Sequence, residues 1–146
     1  MKVAVGSDHG GLDLKTIIVE ELKKSGIEVL DVGTNSTESS DYPDFAKKAV
    51  GLILKGEAEL GVLICGTGIG MSIAANRYKG IRAAVAWNEF MAKMARNHND
   101  ANILVLGGRV TGFELAKEIL KVFLKESFDG GRHKRRIDKI DSIILK

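Results

Sequence analysis

The sequence predicts an α/β fold: a three-layer, Rossmann-like sandwich with a five-stranded parallel sheet, helices on both faces and an extra C-terminal helix. Three observations carry this. Five short apolar runs, starting every 20–33 residues, are continuous rather than alternating, as strands buried on both faces should be. Helical patterns separate them, and strand–helix alternation is the signature of a parallel sheet. Polar and glycine residues gather just after each run, at the strand ends where open parallel sheets hold ligands.

The first run is Val3–Gly6, followed by Ser7-Asp8-His9-Gly10-Gly11. A helix follows, with Leu14, Ile17, Ile18 and Leu22 on one stripe. Glu28–Val32 is the second run, ending at Gly33-Thr34. Phe45, Ala49, Val50 and Ile53 mark the next helix, with Pro43 placed near its first turn. Gly61–Cys65 is the third and most apolar run, expected in the middle of the sheet, and a helix over Met71–Asn76 follows it. Ala83–Ala86 leads to Trp87-Asn88 and a fourth helix ending in Arg96-Asn97-His98-Asn99-Asp100. Ile103–Leu106 leads to Gly107-Gly108-Arg109 and a fifth helix on Phe113, Ala116, Leu120 and Phe123. Gly130-Gly131 break the chain. The last helix, about 132–146, aligns Ile137, Ile140 and Ile144, and no strand follows it. Such a stripe is expected to pack at a subunit interface.

The 146 residues suit one domain, 1–146. Apolar residues make up 45% and charged residues 28%, which excludes a disordered chain. No apolar run approaches the ~20 residues that span a bilayer, so no membrane association is expected. The start lacks a signal-peptide pattern, and a lone cysteine forms no internal disulfide. The expected location is cytoplasmic. Net charge is +3, but residues 131–146 alone carry +4 and the remainder −1. A nearly neutral body with one basic end suits a small anion or a solvated tail better than nucleic acid.

The loop Cys65-Gly66-Thr67-Gly68-Ile69-Gly70 is the most informative segment. Alternate glycines let a backbone approach a ligand and turn its N–H groups toward an anion. The spacing is neither that of the ATPase phosphate loop nor that of dinucleotide binders, and any tight turn also uses glycine. Cys65 reads as a small core residue or, facing a helix amino terminus that favours an anion, as a base or nucleophile. His9 reads as a turn residue beside Asp8, and His98 as a cap at a helix end. His133 is expected in solvent. No Cys-x-x-Cys and no histidine pair at i, i+4 is present, so no metal site and no metal dependence are expected. Arg132 and Arg136 share a helix face but load positive charge onto the wrong end for the helix dipole. They suit either solvent or a negative partner. Arg109, just after the fifth strand, is well placed for an anion.

Ser-Asp-His-Gly-Gly (7–11), Asp-Tyr-Pro-Asp (41–44), Cys-Gly-Thr-Gly-Ile-Gly (65–70), Ala-Ala-Asn-Arg (74–77), Gly-Ile-Arg-Ala (80–83) and His-Asn-Asp-Ala-Asn (98–102) together resemble the type B ribose-5-phosphate isomerases. That family also includes the subunits of galactose-6-phosphate isomerase. The resemblance runs from Val3 to about Arg136. It implies a cofactor-free aldose–ketose isomerase of the non-oxidative pentose phosphate pathway, interconverting ribose 5-phosphate and ribulose 5-phosphate. It implies a homodimer or dimer of dimers with sites built from two chains. Cys65 matches the base that moves a proton between C1 and C2, and His98 matches the residue that assists ring opening. Asp8, Tyr42, Thr67 and Asn99 match sugar contacts, and Gly66, Gly68 and Gly70 lie in the loop whose amides face the sugar oxygens. His9, Arg109, Arg132 and Arg136 match the phosphate site. Another branch of the family uses a glutamate at the position of Met71; methionine accepts no proton there, so the base here is Cys65 or none.

The alternative within the same site is a six-carbon substrate, such as allose 6-phosphate or galactose 6-phosphate. The rival of another class is a sugar-phosphate sensor without catalysis, against which Cys65, Thr67 and His98 argue. Turnover of ribose 5-phosphate separates the two.

Overall fold

The computed structural model describes residues 1–143. Five strands, Lys2–Ser7 (β1), Glu28–Asp31 (β2), Leu60–Cys65 (β3), Ala83–Val85 (β4) and Ile103–Gly107 (β5), form one parallel sheet in the order β2-β1-β3-β5-β4. Six helices accompany them: Leu12–Lys24 (α1), Tyr42–Leu54 (α2), Ile69–Ala75 (α3), Glu89–Asn97 (α4), Phe113–Lys125 (α5) and Arg132–Asp141 (α6). The expected three-layer sandwich with β3 at its centre is what forms.

Two apolar clusters fill the two interlayer spaces. Leu14, Ile18 and Leu22 of α1 pack with Ile119, Leu120 and Phe123 of α5 and with Ala92 of α4 on one face. Ala46, Ala49 and Val50 of α2 pack with Met71 and Ala75 of α3 on the other. Strand alternation divides each strand's side chains between them: Val3, Val5, Val62 and Ile64 face the first cluster, while Ala4 and Leu63 face the second. The central strands β1, β3 and β5 are buried along almost their whole length. The edge strands β2 and β4 are only partly covered, which corrects the expectation that all five runs are buried on both faces.

The strand order places a topological switch between β1 and β3, because the chain moves outward from β1 to β2 and then returns to the far side for β3. A crevice opens outside the carboxyl ends of the two strands flanking such a switch. Those ends carry Asp8 and Cys65. The last two strands are exchanged relative to chain order: β5 lies against β3, and β4 takes the edge.

α3 starts two residues before its apolar pattern suggests, with Gly68 as its cap in the left-handed region at φ 83°. Pro43 sits in the first turn of α2, as expected. α6 divides its isoleucine stripe. Its buried face is His133 and Ile137, turned toward its own chain, while Ile140 and Ile143 are exposed. Ile144 and the end of the expected helix lie outside the described residues.

Candidate active site

The crevice at the carboxyl ends of β1 and β3 is an open cleft of roughly 510 Å³ lined by Asp8, Tyr42, Cys65, Thr67, Ile69 and Arg109, among others. Each wall follows from local backbone geometry. Asp8 directly follows β1 and caps the turn His9–Gly11: its Oδ1 accepts from the N–H groups of Gly10 (3.0 Å) and Gly11 (3.2 Å). His9 and Ser40 exchange two hydrogen bonds. The His9 N–H donates to Ser40 Oγ at 3.2 Å, and the Ser40 N–H donates to His9 Nδ1 at 3.1 Å. A neutral imidazole that accepts at Nδ1 carries its proton on Nε2, which leaves that edge as a donor for an anion. Ser40 was not legible as a partner, because it lies 31 residues away in an unpatterned loop.

Cys65 ends β3 and is 5% exposed. The Gly68 N–H donates to its Sγ at 3.2 Å, a contact made possible by the left-handed turn at Gly68. Thr67 Oγ1 accepts from the Ile69 N–H at 3.2 Å, which fixes the hydroxyl at the rim. Two glycines let large side chains lie directly on the loop. A Cβ on Gly70 would stand 2.6 Å from Tyr42 Cζ, so the tyrosine ring rests on that backbone. A Cβ on Gly66 would meet the Arg109 guanidinium at 3.4 Å. The Arg109 N–H donates to the Gly66 carbonyl at 2.9 Å and fastens the arginine loop to the cysteine loop. Met71 is fully buried in the core beneath α3.

A second group lies at the other end of the sheet. The register pairs Gly61 with Ile103 and Cys65 with Gly107, so His98 and Asn99, which precede β5, belong to the amino end. Four residue-to-residue steps of strand separate the two ends, about 13 Å of rise before any loop is counted. His98 stacks on His133, with ring centroids 4.1 Å apart and planes 11° off parallel. His133 lies in the first turn of the helix that carries Arg132 and Arg136, so that helix is docked beside His98. The predicted site residues thus fall into two sets: Asp8, His9, Tyr42, Cys65, Gly66, Thr67, Gly68, Gly70 and Arg109 in one, His98, Asn99, Arg132 and Arg136 in the other. One chain does not bring them together.

His133 corrects the expectation of a solvated side chain: it is buried. Desolvation holds its pKa below the ordinary imidazole value, and the Coulombic effect of His98, Arg132 and Arg136 pushes the same way against Asp129. Residues without metal-ligand spacing in the sequence also meet in space. The fold gathers His98, Asp129 and His133 so that one ligand-type atom from each lies within 4.8 Å of the others. Face-to-face stacking of the imidazoles and the flanking guanidiniums work against a cation there.

An apolar wall continues from the cleft. Thr67 and Ile69 also line a depression of roughly 470 Å³ with Trp87, Val110, Thr111 and Leu115. Trp87 is 58% exposed and Phe90 70%. Among the described residues, no helix is long and apolar enough to cross a membrane.

Fold and cleft together define an α/β protein with a thiol, a glycine-rich loop and an arginine at a parallel-sheet switch point. Residues 3–140 match the Ribose/Galactose Isomerase family model, and the chain belongs to that family. It is 47% identical over 142 residues to ribose-5-phosphate isomerase B of Escherichia coli (strain K12), covering 97% of this chain and 95% of that protein. The structure of Thermotoga maritima ribose 5-phosphate isomerase B superposes with a TM-score of 0.96 at 58% identity, covering 97% and 98% of the two chains. That of Mycoplasma genitalium ribose-5-phosphate isomerase B, determined with bound ribulose-5-phosphate, superposes with a TM-score of 0.92 at 45% identity over 96% and 93%.

Proposed function

We propose that this chain is a ribose-5-phosphate isomerase that interconverts ribose 5-phosphate and ribulose 5-phosphate through an enediolate. The observation that carries the reading is Cys65 at the end of β3, with the Gly68 N–H on its sulfur and Asp8, Thr67 and Arg109 around it. An aldose–ketose shift needs a base beside the acidic C2–H and donors for the developing oxyanion. In the open-chain sugar, Cys65 Sγ removes the C2 proton and the electron pair forms the C1–C2 double bond. The aldehyde oxygen takes the negative charge, facing those backbone N–H groups of the Gly66–Gly70 loop that Cys65 and Thr67 do not engage. After proton transfer between O2 and O1, the thiol returns its proton to C1, so the atoms balance without an external oxidant or reductant. Arg109 and the Nε2 edge of His9 serve the phosphate, where a guanidinium gives paired donors.

The ribose 5-phosphate furanose must first open, and His98 is suited to move a proton between the ring oxygen and the anomeric hydroxyl. Because His98 lies at the far end of its own sheet, the copy that serves a given Cys65 is a second chain. A homodimer supplies it, along with Asn99, Arg132 and Arg136. The exposed apolar wall of Trp87, Val110 and Leu115 beside the cleft is the face we assign to that contact. A dimer of dimers remains compatible with this pairing. The cytoplasm is the compartment that fits the reading.

Purified protein assayed with ribose 5-phosphate, allose 6-phosphate and galactose 6-phosphate in parallel tests the substrate. Preferred turnover of the pentose phosphate supports the proposal, and turnover of a hexose phosphate alone overturns it in favour of the six-carbon alternative. His98→Asn should lose much more turnover on ribose 5-phosphate than on 4-deoxyribose 5-phosphate, which lacks the hydroxyl needed to close a furanose. Equal losses on the two sugars would remove ring opening from His98. Chelation by EDTA should leave activity unchanged, since the chemistry above draws on a thiol and amides; loss restored by one divalent ion would assign a metal to His98, Asp129 and His133.

A further inference from the structure

The turn that carries His98 and Asn99 is anchored on both sides. Upstream, Asn97 is buried at 5% exposure. Its side-chain amide donates to the Ser127 carbonyl at 2.7 Å and to Glu126 Oε2 at 3.1 Å, and its own carbonyl accepts from the Asp129 N–H at 3.0 Å. Downstream stands Asp100, the only non-glycine residue with positive φ (44°) among those described. An L-residue adopts that region at a cost, lowest for Asp and Asn, and helices that leave through it ordinarily use glycine. Here two guanidiniums meet the aspartate. Arg96 Nη1 donates to its Oδ1 at 3.2 Å and Arg82 Nη2 to its Oδ2 at 3.4 Å, while Arg82 Nε donates to its carbonyl at 2.9 Å. The two arginines come from different elements. Arg96 belongs to the last turn of α4, and Arg82 precedes β4 and also faces Asp141 of α6 at 3.9 Å.

Strain of this kind persists only where surrounding contacts over-determine it, and it concentrates at functional sites. Glycine would end α4 with less strain. Aspartate adds a carboxylate that pins the exit of α4 to the body of the sheet, and so fixes where the two preceding side chains point. We infer that Asp100 is a positioning residue: its left-handed backbone and its Arg82–Arg96 clamp aim His98 and Asn99 at substrate held by the Cys65 of a second copy. This rests on the reading of His98 given under Proposed function.

Three full-length variants test it: Asp100→Gly, which keeps the backbone and loses the clamp; Asp100→Asn, which keeps both a left-handed preference and an acceptor; and His98→Asn as reference. Asp100→Gly should melt close to the wild type, because relief of strain offsets the lost ion pairs. Its kcat on ribose 5-phosphate should fall about ten-fold or more, as small misplacements of reacting groups do. The fall should be much smaller on 4-deoxyribose 5-phosphate, and Asp100→Asn should recover most of it. The imidazole NMR resonances of His98 should move in Asp100→Gly and stay near wild-type positions in Asp100→Asn. Should glycine cost the fold, Asp100→Ser serves the same comparison. Wild-type kcat with unmoved His98 resonances overturns the inference, as do equal losses on both sugars with unmoved resonances. If the resonances move but His98→Asn leaves furanose turnover intact, Asp100 still positions the turn and the ring-opening role of His98 is what fails.

Discussion

Cys65→Ala should reduce isomerisation of ribose 5-phosphate by about 10²–10⁴-fold, the range a positioned general base contributes. Substrate should still bind, because the phosphate contacts assigned to His9 and Arg109 do not pass through the sulfur. The effect should be this large because few other groups can take over. Met71 is fully buried beneath α3. Asp8, the carboxylate that lines the cleft, has its Oδ1 committed to the Gly10 and Gly11 N–H groups. Iodoacetamide should inactivate the wild type, with protection by substrate, since the sulfur borders the cleft although the residue is only 5% exposed. The variant is not expected to unfold: removing one sulfur at the mouth of a cleft leaves a gap open to solvent rather than a sealed cavity. Wild-type-like turnover by the alanine variant would sink the assignment and turn attention to Asp8.

The periodicities that announce the fold are local, which is why they were legible. Leu14, Ile18 and Leu22, or Ala116, Leu120 and Phe123, face the core because helical spacing puts them on one side. The continuous run Gly61–Cys65 is buried throughout because it is the central strand. Strand order is not local. Nothing in Ala83–Val85 or Ile103–Gly107 announces that β5 takes the inner position and β4 the edge. The cleft set was legible at the ends of its strands, where Asp8, Cys65, Gly66, Thr67 and Arg109 follow apolar runs. Separation of His98, Asn99, Arg132 and Arg136 from that set was not, because spacing along a chain does not record which end of a sheet a loop occupies. His133 illustrates the same limit: a histidine in a run of basic residues reads as solvated, and it is buried here by stacking on His98, a contact made across 35 residues of sequence. Ser40 and Asp100 owe their roles to a distant imidazole and to two converging guanidiniums, neither of which leaves a pattern in the sequence.

The basic helix α6 gives the second large effect. Arg132 and Arg136 are exposed, yet they stand on a helix fixed from beneath by His133 and Ile137, so their guanidiniums project from a rigid base. Two cations in the first turns of a helix oppose its dipole, an arrangement that a phosphate facing them would relieve. On the proposed reading that phosphate is bound to a second copy, and the arginines act across the subunit contact. A charge-assisted contact of this kind contributes roughly 1.5–3 kcal/mol. Arg136→Ala should therefore raise KM for ribose 5-phosphate about ten-fold or more and leave kcat nearly unchanged at saturation, because the thiol chemistry is untouched. Ending the chain at Gly131 should do worse. It removes both arginines, takes the stacking partner from His98 and uncovers the surface under Ile137, so KM should rise further, kcat on the furanose should fall and the dimer should loosen. KM and kcat measured beside sedimentation of the dimer resolve these effects. A truncated chain that stays dimeric and keeps its KM would show α6 to be a passive tail, with the phosphate left to His9 and Arg109.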